Sequence, residues 1–536
     1  MLNVLLVEPN YKNKYPPMGL MKISTYHKNR GDNVSFYKGV SSKEDFAKGA
    51  FDRVYITSMF TFHYDITLKT IKSYEEMIDP SRIFVGGIMA TLMKNRLATV
   101  VDENVTILTG LLTDSTSVGF DDHVNIDVLP LDYSILDETS FKYGAGDNYF
   151  AYVSRGCTNK CRFCAVPILE PKFCMTNHIV NQIETIKKNF GEKQNLLLLD
   201  NNILSFSALE LGTIVDDIYS LGFDKTTKFY PELPFATYTR KLRQAECGTP
   251  AYKNILSELL IYLQDKMSLK KSKNYDEKYK QIMASLEVQD DKVSFIMQNY
   301  DVLHEILGYY HKPTGRKRIV DFNQGIDARQ LTEEKMSILA KLPIEPFRLA
   351  FDGLEYEDVY VKAVRLATKY GVKHFSNYIL YNFDDEPNDL WTRLKINIDL
   401  GRENDIRVFS FPMRYAPIDQ IDRTSIGTHW NKHYLSNIYA ILNVTKGIVA
   451  QGEAFFCKAF GKDLDEFHEI LSMPRDFVMY RSHFENNGQA EKWKKSFCKL
   501  SPFEKHELID VLCEKSDPKC QKVSEILSFY KIKYRA

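Results

Sequence analysis

The sequence carries no excess charge of either sign: 70 Lys and Arg stand against 70 Asp and Glu in 536 residues. A neutral total argues against a protein that coats nucleic acid or an anionic membrane by bulk charge. Long apolar runs are missing too, none approaching the ~18–20 residues of a membrane span. The start, MLNVLLVEPN, has no basic region and breaks at Pro9 before a signal-peptide core could form. These absences give a cytosolic (cytoplasmic) expectation with no membrane partner and no evident nucleic-acid module. There is no internal repeat, low-complexity tract or coiled-coil heptad run. What is present is an ordinary globular balance, 44% apolar and 26% charged, and a length fit for roughly three to four domains of ~150 residues.

The first ~110 residues alternate apolar strands with helical patterns. Strands are expected at Val4–Val7, Val34–Tyr37, Val54–Thr57, Ile83–Val85 and Val105–Leu108, with helices at Gly19–Arg30 and Ile66–Met77. Fully apolar strands separated by helices indicate a parallel sheet. After a polar connector the rhythm restarts, with strands at Tyr149–Val153, Asn195–Leu199, Ile319–Phe322, Phe347–Phe351, His374–Leu380 and Ile406–Phe411. The helices between them are expected at Thr176–Asn189, Ser207–Leu221, Thr332–Lys341, Glu357–Lys369 and Pro387–Leu400. Six such units fit an open (β/α)6 barrel. One interval is too long: the stretch 250–310 is rich in Lys, Glu and Leu and helical in period, so a helical subdomain is inserted there. Helical patterns at Tyr434–Val449, Asp463–Leu471 and Pro502–Cys513 mark the last part as a helical cap. The fold class is α/β, with domains expected at 1–142, 143–424 (insert about 228–316) and 425–536.

Nine cysteines in a reducing compartment point away from disulfides. Three of them, Cys157, Cys161 and Cys164, form a C-x3-C-x2-C pattern in Ser154-Arg155-Gly156-Cys157-Thr158-Asn159-Lys160-Cys161-Arg162-Phe163-Cys164, directly after the first barrel strand. Three thiolates from one short loop can hold three irons of a cubane and leave the fourth open to a small molecule. The other readings are a structural zinc site and inert thiols. Zinc wants four ligands, generally in two separated pairs, and no matching C-x-x-C pair exists elsewhere; inert thiols have no reason to adopt this spacing. Cys457, Cys498, Cys513 and Cys520, with His506, cluster near the C-terminus at spacings that match no auxiliary-cluster motif, and Cys174 and Cys247 carry no signal.

With this loop after the first strand, the stretch from Tyr149 to Pro417 resembles the radical S-adenosylmethionine (SAM) superfamily, whose three-cysteine loop opens a partial (β/α)6 barrel. The resemblance implies that Cys157, Cys161 and Cys164 ligate a [4Fe–4S] cluster whose open iron chelates SAM. One-electron reduction by a donor such as flavodoxin or ferredoxin then splits SAM to a 5′-deoxyadenosyl radical. It places Phe163 near the adenine, with core filling as the alternative. It places Asp200, Asn201 and Asn202 at the turn that binds the SAM amine, where the family often has Gly-Gly-Glu. Gln324 and Arg329 follow the third strand and offer a carboxylate partner, Asp352 a ribose acceptor, and Tyr381, in Tyr378–Asn382, backbone near the adenine. Each polar residue among these has a turn or cap role as its alternative.

The N-terminal part resembles the cobalamin-binding Rossmann-type domain of one radical SAM subgroup through Val4–Pro9, Pro16-Pro17-Met18-Gly19-Leu20, Thr57-Ser58, Val85–Thr91, Thr109-Gly110 and the Leu129–Tyr133 link. Thr57, Ser58, Gly86, Gly87, Thr109 and Gly110 are the implied cobalamin contacts. The chain has no D-x-H-x-x-G motif to supply an axial His, and Gly110-Leu111 stands where the subgroup has Gly-Glu, so an empty scaffold is the competing reading. The functional expectation is a radical SAM enzyme with an unknown substrate and unknown catalytic residues, either a cobalamin-dependent methyltransferase or a catalyst of another radical modification. A non-catalytic iron–sulfur protein is the remote alternative. The insert or the cap is expected to close the barrel mouth and touch the substrate, with a peripheral decoration on the barrel's outer wall as the competing reading for the insert.

Overall fold

Val4, Leu5, Leu6 and Val7 are all buried in the strand Asn3–Glu8 (β1), and covering both faces puts this run at the centre of a parallel sheet. The computed structural model of the chain describes residues 1–176, 179–267, 273–311, 313–449 and 452–534. They divide into two compact units, Met1–Asn323 with Lys341–Ile344, and Gln324–Ala340 with Glu345–Ala536.

In the first unit β1 lies between β2 (Asn33–Lys38) and β3 (Arg53–Ser58), followed by β4 (Ile83–Gly87) and β5 (Thr106–Ile107), in the order β2-β1-β3-β4-β5. All neighbours are parallel. The order turns back between β1 and β3, which opens a crevice at the carboxyl ends of the strands. The five expected strands are present. Three short helices, Lys43–Gly49, Ile88–Leu92 and Lys94–Ala98, escape the sequence reading because five to seven residues are too few to display a helical period.

The same unit holds the first half of the second β/α series. Strands β6 (Tyr149–Ala151), β7 (Ser154–Arg155), β8 (Cys174–Met175), β9 (Leu196–Leu198), β10 (Lys228–Phe229), β11 (Arg316–Lys317) and β12 (Val320–Phe322) follow in sequence. A parallel sheet has the order β12-β9-β6, with the helices Ile179–Phe190 and Ala208–Ser220 in the crossovers. Of the expected helix from Thr176, residues 177–178 lie outside the described residues. The expected strand Tyr149–Val153 is shorter: it stops at Ala151, and the chain resumes as β7 to pair antiparallel with β8.

The insert is helical, as expected, with residues 268–272 of it outside the described residues. Five helices (Pro234–Gln244, Pro250–Lys266, Lys273–Glu287, Lys292–Gln298 and Tyr300–Tyr310) enclose a core of their own that includes Leu259, Leu263, Leu303 and Ile306. The antiparallel pair β10–β11 closes its neck. Its position corrects the expectation. The insert follows a helix and precedes β12, so it leaves the sheet at the amino ends of the strands. Gln244 Nε2 donates to the carbonyl of Asn189, at the end of the helix that leads into β9, at 3.2 Å. Lys241 pairs with Asp137 of the connector at 2.6 Å, and the nearby Tyr133 hydroxyl donates to the Asn148 carbonyl, just before β6, at 2.7 Å. The insert therefore stands at the end of these strands opposite the cysteine loop and does not border that loop.

The second unit contains β13 (Phe347–Arg348), β14 (His374–Tyr381) and β15 (Arg407–Arg414), parallel in that order, with the helices Glu357–Lys369 and Pro387–Asn404 in the crossovers. The α/β alternation expected of the second series is thus present, three parallel strands in each unit. From Lys432 to Tyr530 the described residues form helices and no further strand. Leu390, Leu394, Phe456, Phe460, Phe467 and Trp493 share one core, so these helices pack on the Pro387–Asn404 helix. Among the described residues no helix is long and apolar enough to cross a membrane.

Candidate metal centre

Residues 156–173 leave β7 and return as β8, so the ladder Ser154↔Met175 and Arg155↔Cys174 closes the neck of a loop that bears all three patterned cysteines. Gly156 opens the loop at φ +76°, and a Cβ there would lie 2.2 Å from the Lys172 carbonyl oxygen. Only glycine satisfies both the left-handed backbone and this approach of the two loop ends.

The end of β9 grips both sides of the neck. The Asp200 carboxylate accepts from the backbone N–H of Val153 at 3.1 Å, from that of Ser154 at 2.5 Å and from the Ser154 hydroxyl at 2.6 Å. Burial pushes its pKa up to about 6 against the pull of these donors. Glu170, at the far side of the loop, accepts from the Gly156 N–H at 2.7 Å and from Asn201 Nδ2 at 2.8 Å. Thr158 and Ser205 share a hydroxyl hydrogen bond of 2.9 Å.

Cys157, Cys161 and Cys164 are all partly buried, and none of the described cysteines is in a disulfide. The N–H of Asn159 points to Cys157 Sγ at 3.4 Å and that of Val166 to Cys164 Sγ at 3.5 Å. Among the described residues no three His, Cys, Asp or Glu side chains converge on a single ion. A cubane distributes its thiolates over three irons, a wider set than one tetrahedral ion needs. Three thiols on one short loop are the donor set that such a cubane takes. The C-terminal cysteines do not join such a set: Cys513 Sγ donates to Asn431 at 3.7 Å and Cys520 Sγ to Glu504 at 3.2 Å, while Cys457 packs on the helical core.

Of the residues expected to touch SAM, Phe163 is half-buried on the loop. Asp200 and Asn201 do lie at the loop, but their side chains brace it rather than project from it, as the hydrogen bonds above require. Asn202, 2% exposed, caps the turn Ile203–Ser205 by accepting from Leu204 N–H at 3.2 Å. In the second unit Gln324 is exposed. Both nitrogens of the Arg329 fork engage Asp327, at 2.8 and 2.9 Å. Asp352 is half-buried, its carboxyl pushed up to about 6 by burial. Arg393, with no exposed surface, donates to the Asp352 carbonyl at 2.8 Å and to Asp385 Oδ2 at 2.9 Å, which fixes this strand end. The side chain of Tyr381 is 3% exposed, its ring packs 5.4 Å from that of Trp430, and burial pushes its hydroxyl up to about 12. The ring belongs to the core, and only its backbone stays a candidate.

At the carboxyl edge of the first sheet the small residues support one another. Ser58 Oγ donates to the Gly86 carbonyl at 2.8 Å and accepts from Ala90 N–H at 2.9 Å. The Gly110 N–H donates to Thr91 Oγ1 at 3.0 Å. A Cβ on Gly87 (φ +109°) would meet the Ser58 oxygen at 2.2 Å, so sheet packing alone requires this glycine. Thr57 is half-buried, whereas Gly87, Thr109 and Gly110 stay exposed, as do the stacked rings of Phe60 and Phe62. The helix Ile88–Leu92 packs on the helix Val166–Leu169 that trails the third cysteine, and the Leu169 carbonyl lies 3.7 Å from the Cβ position of Gly110. An open ledge of small and aromatic residues thus adjoins the cysteine loop, a shape and chemistry that fit a flat, partly apolar cofactor.

Sequence reasoning missed Glu170, and it did not assign a role to Arg155, although Arg155 stands in the cysteine passage itself. No protein-family model matches the chain, and no curated protein matches it by sequence. Among solved structures it is similar to the radical S-adenosylmethionine methyltransferase TsrM from Kitasatospora setae with cobalamin and a [4Fe–4S] cluster bound, at 13% identity and a TM-score of 0.41, covering 78% of this chain and 77% of that one. It is similar to the same protein with tryptophan substrate and a SAM analogue bound, at 12% identity and a TM-score of 0.42, covering 78% and 75%.

Proposed function

We propose that the chain is a radical SAM enzyme, and the observation that carries this is the braced loop of Cys157, Cys161 and Cys164 at the carboxyl end of a parallel strand. A [4Fe–4S] cluster held by Cys157, Cys161 and Cys164 would supply the single electron that cleaves the SAM sulfonium to methionine and a 5′-deoxyadenosyl radical. The chain's own part is to present three thiolates from one rigid loop and leave the fourth metal corner for substrate. Asp200 and Glu170 tie the base of the loop to the sheet edge and to itself. Phe163, on the same loop, is the candidate partner for the adenine of SAM. The electron comes from a one-electron donor of the ferredoxin or flavodoxin class.

The test is product formation. Anaerobically reconstituted protein given SAM and dithionite should release 5′-deoxyadenosine. The triple variant Cys157→Ala, Cys161→Ala, Cys164→Ala should release none, and release by that variant would defeat the reading.

A second reading, methyl transfer through cobalamin, is favoured by the exposed ledge of Gly87, Thr109 and Gly110 beside the cysteine loop. Cobalamin bound there would have no axial His from a D-x-H-x-x-G motif and would show a base-off spectrum or one with another lower ligand. Protein that takes up no corrinoid when produced with it would count for the empty scaffold and for a radical modification other than methylation.

A further inference from the structure

Four charged side chains that are distant in sequence meet beside the first cluster cysteine. Lys22 comes from the helix Met18–Asn29, Asp127 from the connector, Arg155 from β7 and Glu170 from the end of the cysteine loop. Their side chains are only 8–14% exposed. Arg155 grips Asp127 with two nitrogens, at 2.9 and 2.6 Å, and Glu170 with a third at 3.2 Å. Lys22 Nζ pairs with Asp127 Oδ1 at 2.8 Å. The ring of Tyr152 lies 3.5 Å from the Arg155 guanidinium and 5.0 Å from Lys22 Nζ, offering its face to both cations. Burial, then the neighbouring Arg155, brings Lys22 down to about 8, which leaves it charged at neutral pH. The group holds two positive and two negative charges.

Stability alone does not account for it. Burying ions carries a desolvation penalty that well-packed apolar residues avoid, and replacing such groups by hydrophobic ones is often neutral or favourable. What the quartet has that an apolar plug lacks is balanced charge and a fixed grip on the loop: Arg155 is two residues before Cys157, and Glu170 also holds the Gly156 N–H. Resting on the reading that this loop carries the cluster, we propose that Lys22, Asp127, Arg155 and Glu170 are positioning residues that hold the charge beside the cluster at zero and thereby set its reduction potential. In a medium of effective dielectric about 20, one unit charge roughly 10 Å from a redox centre changes its equilibrium about tenfold. Removing a negative charge from the quartet favours the reduced cluster, which is the more negative form; removing a positive charge disfavours it.

The experiment compares full-length wild type, Glu170→Gln and Lys22→Met, each reconstituted anaerobically, by iron content and by redox titration monitored by electron paramagnetic resonance. Glu170→Gln keeps an oxygen to accept from Gly156 and should raise the ratio of reduced to oxidised cluster at fixed potential by about tenfold, 59 mV for one electron. Lys22→Met, on the helix Met18–Asn29, should lower it by a similar factor. A purely structural clamp would change iron occupancy in both variants without opposite shifts of potential. Shifts of the same sign, or none with the cluster bound, overturn the inference. Should Glu170→Gln fail to fold, the sign of the Lys22→Met shift decides alone. Wild type that takes up no cluster contradicts the reading of the loop and the inference with it, whereas a wild-type cluster with unmoved potentials contradicts the inference only.

Discussion

Asp200 holds Ser154 twice, through its backbone N–H at 2.5 Å and its hydroxyl at 2.6 Å. Asp200 lies two residues past β9 and Ser154 begins β7, 46 positions apart in sequence. This contact, with the Glu170–Gly156 bond on the other side, makes the cysteine loop a part of the sheet edge rather than a free excursion from it.

Burial raises the Asp200 pKa from 3.8 to about 6. A carboxyl raised in the folded state contributes stability that is complete below the unfolded value and lost as pH rises through the folded one. The variant Asp200→Asn lacks this loss. Its urea midpoint relative to wild type should therefore climb between pH 4 and 6, by an amount equivalent to at most about 3 kcal/mol. A difference that stays flat over that window would show that the carboxylate is ionised in the fold without penalty.

The helical part of the second unit has the opposite dependence. His433 Nε2 donates to the Ser472 carbonyl at 3.3 Å, which requires an N–H on Nε2. Burial brings its pKa down from 6.5 to about 4. A depressed histidine contributes stability that is present above the unfolded pKa and lost as pH falls through the folded one. Wild type should lose up to about 3 kcal/mol between pH 6.5 and 4 through this group, and His433→Gln should lose correspondingly less. Parallel pH profiles of the two proteins would refute the assignment.

The insert should be separable from the chemistry. It lies at the amino ends of β6 and β9, the face where barrel-type folds place stability rather than catalysis. Joining β10 to β11 by a short turn should lower stability but leave iron uptake and SAM cleavage within about twofold. Iron retained with cleavage lost would place the insert in the reaction after all.

The apolar runs Val4–Val7 and Leu196–Leu198 are legible because central parallel strands are buried on both faces and need no partner to be recognised. The three cysteines are legible because their spacing within eight residues is itself the chemistry. The quartet is not, since Lys22, Asp127, Arg155 and Glu170 are separated by up to 148 positions (170 − 22) and each alone reads as a solvated charge. The ladder β7–β8 is two residues long on each side, below any periodicity. Tyr381 is legible as part of a strand, but the cover of its ring by Trp430, from the loop before the Lys432–Val444 helix, is not. The position of the insert was carried by chain order, helix then insert then strand, and that order outweighs the need of an open barrel for a lid.

The most direct measurement of the central claim is the electron paramagnetic resonance spectrum of anaerobically reconstituted, dithionite-reduced protein with and without SAM. The account predicts a reduced [4Fe–4S] signal whose g values change when SAM is added, because one iron has no cysteine, and no such signal in the variant lacking Cys157, Cys161 and Cys164. A signal that ignores SAM, or one that survives in the triple variant, would contradict it.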